Sequence, residues 1–175
     1  MALSQEQIVE KLTGILTRDR VVTDAEVLRE SSVDRYLKLE DIKRVWTRPI
    51  PLAVVYVESA REVAEVLKFA NANGINIVPR TGHSSTEGGL ENGAECTIVL
   101  DASRMNKVLK IDPVNMPLTC ECGVILETVE NLVREQGLTT GHSPQSKPLA
   151  QMGGLVATRS IGQFSTLYGV IVDML

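Results

Sequence analysis

Residues 79–89 read Pro-Arg-Thr-Gly-His-Ser-Ser-Thr-Glu-Gly-Gly and directly follow the apolar run Ile75-Asn76-Ile77-Val78. A second stretch, residues 153–162, reads Gly-Gly-Leu-Val-Ala-Thr-Arg-Ser-Ile-Gly and is followed by Tyr168-Gly169. Glycine lets a backbone N–H approach an anion closely, and small hydroxyl side chains add further donors. Two such loops are what a diphosphate requires when peptide groups rather than lysines hold it. The pair therefore points to a dinucleotide, and we expect both loops to line one concave region.

The ordered pair also resembles a known family. Pro-Arg-x-Gly-x-Ser-x-x-x-Gly-Gly after a strand, then Gly-Gly-x-x-Ala-Thr-Arg-Ser-x-Gly and Tyr-Gly, is similar to the FAD-binding domain of the vanillyl-alcohol oxidase / p-cresol methylhydroxylase superfamily. The nearest resemblance is to glycolate oxidase and D-lactate dehydrogenase flavoproteins and to alkylglycerone-phosphate synthase. It extends from about Pro51 to the end of the chain. The cofactor that this resemblance implies is FAD.

The resemblance also implies which residues contact the cofactor. The first glycine stretch corresponds to the diphosphate loop, in which Gly82 allows close approach and two serine hydroxyls donate. The segment Gly141-His142-Ser143-Pro144 and the second glycine stretch correspond to the part that passes the flavin ring and the diphosphate. The implied cofactor-binding residues are Pro79, Arg80, Thr81, Gly82, His83, Ser84, Ser85, Pro144, Gln145, Ser146, Gln151, Gly153, Gly154, Thr158, Arg159, Ser160 and Ile161.

Four features of these segments carry alternatives. Arg80 lies at the end of a strand, where we favour a salt bridge over a phosphate contact. Some relatives attach flavin covalently through a histidine in this loop, but the Pro-Arg register places His83 one position early, where the glycine-rich version has Gly. We therefore expect non-covalent FAD. The Thr158-Arg159 pair is more similar to the synthase branch than to the glycolate oxidase branch. For His142 we favour a loop hydrogen bond over acid–base chemistry.

Composition excludes several classes of protein. The chain has 175 residues, of which 43% are hydrophobic and 23% charged, and its net charge is −4, with no basic footprint for nucleic acid. No apolar run approaches the roughly 20 residues that cross a bilayer, so a cytoplasmic location is the default. Cys96, Cys120 and Cys122 form no disulfide framework or metal-ligand set, and we expect buried structural thiols and no metal.

The chain divides near its first prolines. We predict an N-terminal helical segment at residues 1–50 and the FAD-binding domain at residues 51–175. A capping box of Ser4 and Gln7 begins the first helix, and a short helix is expected at Asp24–Arg29 within a charged outer segment that extends from Thr23 to Arg48. Pro49 and Pro51 end that segment.

From residue 52 onward, strands and helices alternate. Strands are predicted at residues 52–57, 75–78, 97–100, 108–111 and 118–122. The helix after Ser59 turns Val63, Val66, Leu67 and Ala70 inward and ends at Gly74, and a second helix follows Gly123. This order predicts an α+β domain with a mixed sheet, in two α/β lobes of which the second is truncated. The first loop lacks the Gly-x-Gly-x-x-Gly spacing of a dinucleotide-binding Rossmann domain and the Gly-Lys-Ser/Thr of a P-loop.

The function that follows is the FAD-binding part of a flavin-dependent oxidoreductase. The resemblance implies hydride transfer to FAD from a 2-hydroxy acid of the glycolate or D-lactate type, bound through a C-terminal cap domain that the chain lacks. Two alternatives stay open. One is a flavin transferase similar to alkylglycerone-phosphate synthase, without net redox change. The other is a truncated, non-catalytic module that binds no flavin productively. Its apolar end, residues 170–175, would then be an unpaired strand or tail available to a partner such as a second copy in a homodimer.

Overall fold

The computed structural model describes residues 3–35 and 48–175, which fall into two compact units, Met1–Arg104 and Met105–Leu175. The predicted division into residues 1–50 and 51–175 is based on sequence patterns and family resemblance, not on compactness, and it stays a prediction. The middle of the predicted outer segment, residues 36–47, lies outside the described residues.

The first unit begins with two capped helices. Helix α1, Gln5–Ile15, starts with the predicted capping box, in which Ser4 Oγ accepts from the Gln7 amide at 3.3 Å and the Gln7 side chain accepts from the Ser4 amide at 3.0 Å. A 3₁₀ turn at Arg18–Arg20 leads into strand β1, Val21–Val22, and Asp24 then caps helix α2, Ala25–Glu30. The short helix predicted here is confirmed with a shift of one residue.

A four-stranded mixed sheet forms the centre of the first unit. Its other strands are β2, Ala53–Tyr56, β3, Asn76–Arg80, and β4, Thr97–Asp101, in the order β1-β2-β4-β3. Strand β1 pairs antiparallel with β2, whereas β4 runs parallel to both β2 and β3. All five β4 residues are buried, which is why this strand is almost continuously apolar. Because β3 and β4 are parallel, the loop after β3 leaves the carboxyl edge of the sheet.

Helix α3, Ala60–Asn73, connects β2 to β3. Ser59 Oγ caps it by accepting from the Glu62 amide at 3.3 Å, and Gly74 ends it in the left-handed conformation at φ 65°. Val66 and Ala70 are buried as predicted, but Leu67 is 46% exposed. The prediction for Leu67 was wrong because a residue adjacent to Val66 is rotated about 100° around the helix, away from the buried stripe.

The second unit consists of one hairpin followed by short helices. Strands β5, Val108–Ile111, and β6, Leu118–Cys120, pair antiparallel around an irregularity between Val108 and Lys110. Helices α4, Leu126–Arg134, α5, Met152–Ala157, and α6, Ser165–Tyr168, follow, with a final 3₁₀ turn at Ile171–Met174. The core of this unit contains Leu126, Ala150, Leu155 and Ile171.

Three expectations about this second unit were wrong. The second glycine stretch is not a loop, because Gly153 and Gly154 lie in the first turn of α5. The apolar end is not an unpaired strand, since it forms the 3₁₀ turn and buries Ile171. The cysteines of the chain are only half-buried, and Cys122 lies beyond the end of β6. Burial nevertheless raises the pKa of the Cys120 and Cys122 thiols, which keeps them protonated and weakly reactive.

Membrane-spanning helices and metal-ligand clusters are both absent from the described residues. In residues 3–35 and 48–175, no helix is both long and apolar enough to cross a bilayer. The same residues contain no cluster of three or more His, Cys, Asp or Glu side chains that could hold a metal ion.

Candidate functional site

The first glycine loop is anchored by a carboxylate from far upstream in the sequence. Asp34 is 2% exposed, and its Oδ1 accepts from the Leu90 amide at 2.8 Å. Its Oδ2 accepts from the Gly88 amide and, at 3.2 Å, from the Ser85 hydroxyl. One buried carboxylate therefore holds the distal half of the loop through three hydrogen bonds.

Two neighbours of Asp34 hold the proximal half of the loop. The Arg35 amide donates to the Ser85 carbonyl at 2.9 Å, and His83 Nε2 lies 3.0 Å from the Val33 carbonyl. Because a carbonyl can only accept, Nε2 carries the proton in this contact. His83 adopts φ 47°, a conformation that glycine favours. This agrees with the Pro-Arg register, in which His83 takes a glycine position.

The anchored loop keeps a row of backbone donors free. Among residues 3–35 and 48–175, no protein acceptor receives the amide hydrogens of Gly82, His83, Ser84 or Ser85, and the Ser84 hydroxyl has no partner either. These residues are half-buried rather than fully exposed. Successive amides of this kind form an anion-binding concavity, so the residues present fit a diphosphate.

Two of the predicted donors are already engaged within the protein. Ser85 donates its hydroxyl hydrogen to Asp34, so the predicted phosphate contact of that hydroxyl has no free proton in this structure. Arg80 Nε lies 2.7 Å from Asp101 Oδ2, and its Nη1 donates to Ser31 Oγ at 2.7 Å. Both members of the ion pair are less than 10% exposed. The expectation that Arg80 forms a salt bridge is confirmed. Pro79 lies within β3, and Thr81 follows that strand.

The predicted flavin-contacting residues of the second unit surround α5. Gln151 precedes the helix and forms a β-bridge with Ile125, and its Oε1 is buried without a hydrogen-bond partner among the described residues. An orphaned acceptor of this kind suits a ligand that brings a donor, such as an imide N–H or a ribityl hydroxyl. The Gly153 amide, by contrast, donates to the Cys122 carbonyl at 2.7 Å. Gly153 therefore serves close packing, since a Cβ would lie 2.7 Å from Cys122 Cβ.

The segment before α5 is held by backbone packing and by one histidine. A Cβ on Gly162 would lie 2.8 Å from the backbone nitrogen of Ser143, so only glycine fits at this crossing. His142 is 2% exposed, and its Nε2 lies 3.1 Å from Ser160 Oγ, which is the loop hydrogen bond favoured from the sequence. Burial lowers the pKa of His142, so the ring is neutral at pH 7. Its Nδ1 is also buried without a partner among the residues described.

The remaining predicted residues lie on the surface around this segment. Pro144 and Ser146 supply the carbonyls of consecutive turns, accepting from the Lys147 and Ala150 amides at 3.0 and 2.8 Å. Gln145, Thr158, Arg159 and Ile161 are exposed, and Arg159 adopts φ 52° where α5 ends. A cleft of about 350 Å³ within this unit is lined by His142, Ser143 and Tyr168, among other residues.

A second buried carboxylate fixes the chain that enters this segment. Glu130 on α4 is 4% exposed and accepts from the Thr139 hydroxyl at 2.9 Å and from the Thr140 amide and hydroxyl at 3.0 and 2.7 Å. Arg134 Nε lies 2.6 Å from its Oε1. Burial alone raises the pKa of Glu130, but these hydrogen bonds and the Arg134 guanidinium outweigh it and lower the pKa to about 2.

Comparison with known proteins identifies the family. The family described as "FAD binding domain" matches residues 51–175. The chain belongs to this family. The resemblance drawn from the two glycine stretches is thus confirmed, together with FAD as its cofactor and the α+β fold with a mixed sheet.

Individual relatives agree with this assignment. The chain is 60% identical over 174 residues to the FAD-linked oxidoreductase YgcU of Escherichia coli (strain K12), covering 99% of this chain and 36% of that protein. It is 37% identical over 134 residues to a D-2-hydroxyglutarate dehydrogenase of Xanthomonas citri, covering 75% of this chain and 28% of the relative. A solved alkyldihydroxyacetonephosphate synthase superimposes with a TM-score of 0.85 at 28% identity, over 98% of this chain and 32% of that one. The chain thus spans about a third of the length of the relatives it matches.

Asp34 and Glu130 were both missed from the sequence. Neither lies in a motif, and the amides that Asp34 binds come 54 and 56 positions later in the chain. The available signal was weak, a single acidic residue beside Ser31-Ser32-Val33. The expectation that the two glycine stretches converge stays a prediction, because they belong to different compact units.

Proposed function

We propose that this chain is the FAD-binding part of a flavin-dependent oxidoreductase and that the loop after β3 holds the FAD diphosphate. The supporting observation is the row of amides from Gly82 to Ser85, which have no acceptor among the described residues, in a loop that Val33, Asp34 and Arg35 hold through His83, Ser85 and Gly88. FAD supplies a hydride acceptor when bound. The protein contributes binding and orientation of the cofactor.

The loop chemistry favours a backbone-held diphosphate over a lysine-held one. The loop itself contains no lysine, and Arg80 is neutralised by Asp101. Four amides and the Ser84 hydroxyl offer donors without carrying a charge of their own. In the second unit, Gln151 offers an acceptor that has no partner among the described residues. We assign Gln151 to a donor group of the flavin or of its ribityl chain.

The same contacts favour non-covalent attachment. His83 Nε2 donates to the Val33 carbonyl at 3.0 Å, and the His83 backbone adopts φ 47° in this loop. A bond to a flavin through Nε2 would release the Val33 carbonyl, so only Nδ1 remains for such a bond. We therefore assign His83 to loop geometry.

We assign the substrate to the 2-hydroxy acids, a class for which the support is similarity. The dehydrogenase that is 37% identical acts, by its name, on D-2-hydroxyglutarate. Since the relatives are about three times as long as this chain, the assignment concerns the whole flavoenzyme that contains residues 1–175. Anaerobic addition of D-2-hydroxyglutarate, D-lactate or glycolate to that enzyme tests it. Bleaching of the flavin band by one of them supports the class, and no bleaching by any of them rejects it.

A second candidate has its own support. Thr158 and Arg159 are similar to the alkylglycerone-phosphate synthase branch, and a solved synthase superimposes at a TM-score of 0.85. Such a transferase exchanges a substituent without net redox change. It would turn over its substrates with no electron acceptor present, whereas a dehydrogenase would stop after one reduction of the flavin.

Absorbance of the purified protein tests the cofactor assignment. We expect a flavin band with maxima near the oxidised isoalloxazine positions after incubation with FAD and gel filtration, and its full release into the supernatant upon acid precipitation. A colourless protein at saturating FAD contradicts the proposal. Colour that stays with the precipitate contradicts non-covalent attachment only.

A further inference from the structure

Asp34 lies upstream of the segment that the family match covers. The match begins at residue 51, so Asp34 lies outside it. Yet its carboxylate is 2% exposed and accepts hydrogen bonds from residues 85 and 88 of the glycine loop and from residue 90 directly after it. A buried carboxylate with this set of partners is costly unless every contact persists, because an unpaired buried charge is strongly unfavourable.

We propose that Asp34 is a positioning residue for FAD, whose carboxylate fixes the diphosphate loop in the shape that leaves the Gly82–Ser85 amides free. This inference rests on the proposed function, namely that the loop holds the diphosphate. Asp34 itself does not touch the cofactor in this account. It acts through Gly88, Leu90 and Ser85.

The physical reason is the conformational freedom of the loop. Residues 79–89 contain three glycines and three hydroxyl residues besides Thr81, so the free chain samples many conformations. Binding a diphosphate to a mobile loop would require ordering it at the same time, which weakens affinity. Asp34 orders the distal half of the loop before the ligand arrives. The amides of residues 82–85 are then arranged without help from the cofactor.

Positioning by Asp34 and electrostatic repulsion by Asp34 predict opposite changes in FAD affinity when its charge is removed, which makes the proposal testable. A carboxylate near a bound diphosphate repels it, so neutralising Asp34 strengthens FAD binding if long-range charge alone matters. If positioning matters, Asp34→Asn weakens binding, because an amide NH₂ faces backbone donors and cannot replace the lost acceptor. The two mechanisms therefore differ in the sign of the change.

Glu62→Gln is the matched control. Glu62 lies in the same unit as Asp34, and the substitution removes the same charge. The Glu62 carboxylate also accepts from a backbone amide, that of Glu58 at 2.8 Å, and from Arg20 at 2.8 and 2.9 Å. Within residues 3–35 and 48–175, none of the hydrogen bonds or ion pairs of Glu62 involves the glycine loop. If loss of a hydrogen-bonded carboxylate merely loosens the unit, both variants affect FAD binding alike.

The experiment measures the Kd of FAD and of ADP for the whole flavoenzyme that contains residues 1–175, freed of its cofactor, by titration calorimetry, together with urea unfolding of each variant. ADP carries the diphosphate without the flavin ring. We expect Asp34→Asn to raise both Kd values about tenfold or more, as loss of a charge-assisted hydrogen bond implies. We expect Glu62→Gln to change them less than about twofold while losing comparable stability. Equal effects of the two variants, or tighter binding by Asp34→Asn, would overturn the inference.

Two further outcomes separate this inference from the proposed function. A wild-type chain that binds no FAD refutes the proposed function, and the role of Asp34 with it. A wild-type chain that binds FAD only as tightly as the Asp34→Asn variant does refutes the role of Asp34 alone. If Asp34→Asn does not fold, hydrogen exchange of the apo wild type decides. Protected Gly88 and Leu90 amides beside fast-exchanging Gly82–Ser85 amides support preorganisation, and fast exchange at all of these positions overturns it.

Discussion

Replacing Glu130 by glutamine removes a buried carboxylate that four donor contacts satisfy. The side chain is 4% exposed and lies between Arg134 and the two threonines at 139 and 140. In the Glu130→Gln variant the side-chain NH₂ would face the Thr140 amide or a threonine hydroxyl, so at least one donor loses its acceptor. We therefore expect Glu130→Gln to destabilise the second unit without changing its backbone.

The magnitude follows from the pKa of the carboxyl group. Folding lowers the pKa of Glu130 from 4.5 to about 2, and ionised Glu130 then stabilises the protein by about 3 kcal/mol at neutral pH. Because the pKa is depressed in the folded state, this contribution is fully present above pH 4.5 and disappears as the pH falls toward 2. The difference in free energy of unfolding between wild type and variant follows the same course.

Urea unfolding followed by circular dichroism at pH 7, 5 and 3.5 measures this difference. We expect a loss of about 2–3 kcal/mol at pH 7 and 5 that shrinks to roughly two-thirds or less of that value at pH 3.5. Glu135→Gln, an exposed substitution just beyond the same helix, is the control and should change stability by less than about 0.5 kcal/mol. A pH-independent loss, or one no larger than that of Glu135→Gln, would refute the assignment of a charged, satisfied Glu130.

The remaining predictions concern glycine positions and the buried arginine. Gly82→Val should abolish measurable FAD binding in calorimetry because a β-branched side chain blocks approach to the amides. Arg80→Lys keeps a cation beside Asp101, so it should lower stability but leave the Kd of FAD within about threefold. Equal losses of affinity in the two variants would mean that side-chain charge holds the phosphate. Gly162→Ala should lower stability by about 1–3 kcal/mol, since its Cβ would lie 2.8 Å from Ser143 backbone atoms. Gly93→Ala, where no atom lies within 4 Å, is its control, and thermal melts in which the two variants match would show that the crossing can relax.

Local signals predicted most of the secondary structure. The capping box at Ser4, the cap at Ser59 and the left-handed Gly74 each act within a few residues, so their effect is readable in the sequence. The β-branched runs of β2 and β4 are equally local. The two-residue strand β1 was missed because Val21-Val22 is too short to show a period, and only pairing with β2 makes it a strand.

The candidate site was predictable only in part. Glycine and hydroxyl composition identified the loop of residues 79–89 and, by resemblance, its ligand. Composition could not show which donors stay free, because that depends on partners such as Asp34 and Val33 that lie about fifty positions upstream. Gly153 was assigned to anion binding, yet its amide donates to the Cys122 carbonyl. A glycine required by close packing and a glycine required by anion binding cannot be distinguished in a sequence.

The central claim is that the free amides of residues 82–85 bind the FAD diphosphate. Amide hydrogen exchange of the 175-residue chain, with and without saturating FAD, tests it residue by residue. We predict that the Gly82, His83, Ser84 and Ser85 amides exchange rapidly in the apo protein and become protected at least about tenfold by FAD and by ADP, but not by riboflavin, which lacks the diphosphate. FAD binding that leaves these four amides unprotected would contradict the account.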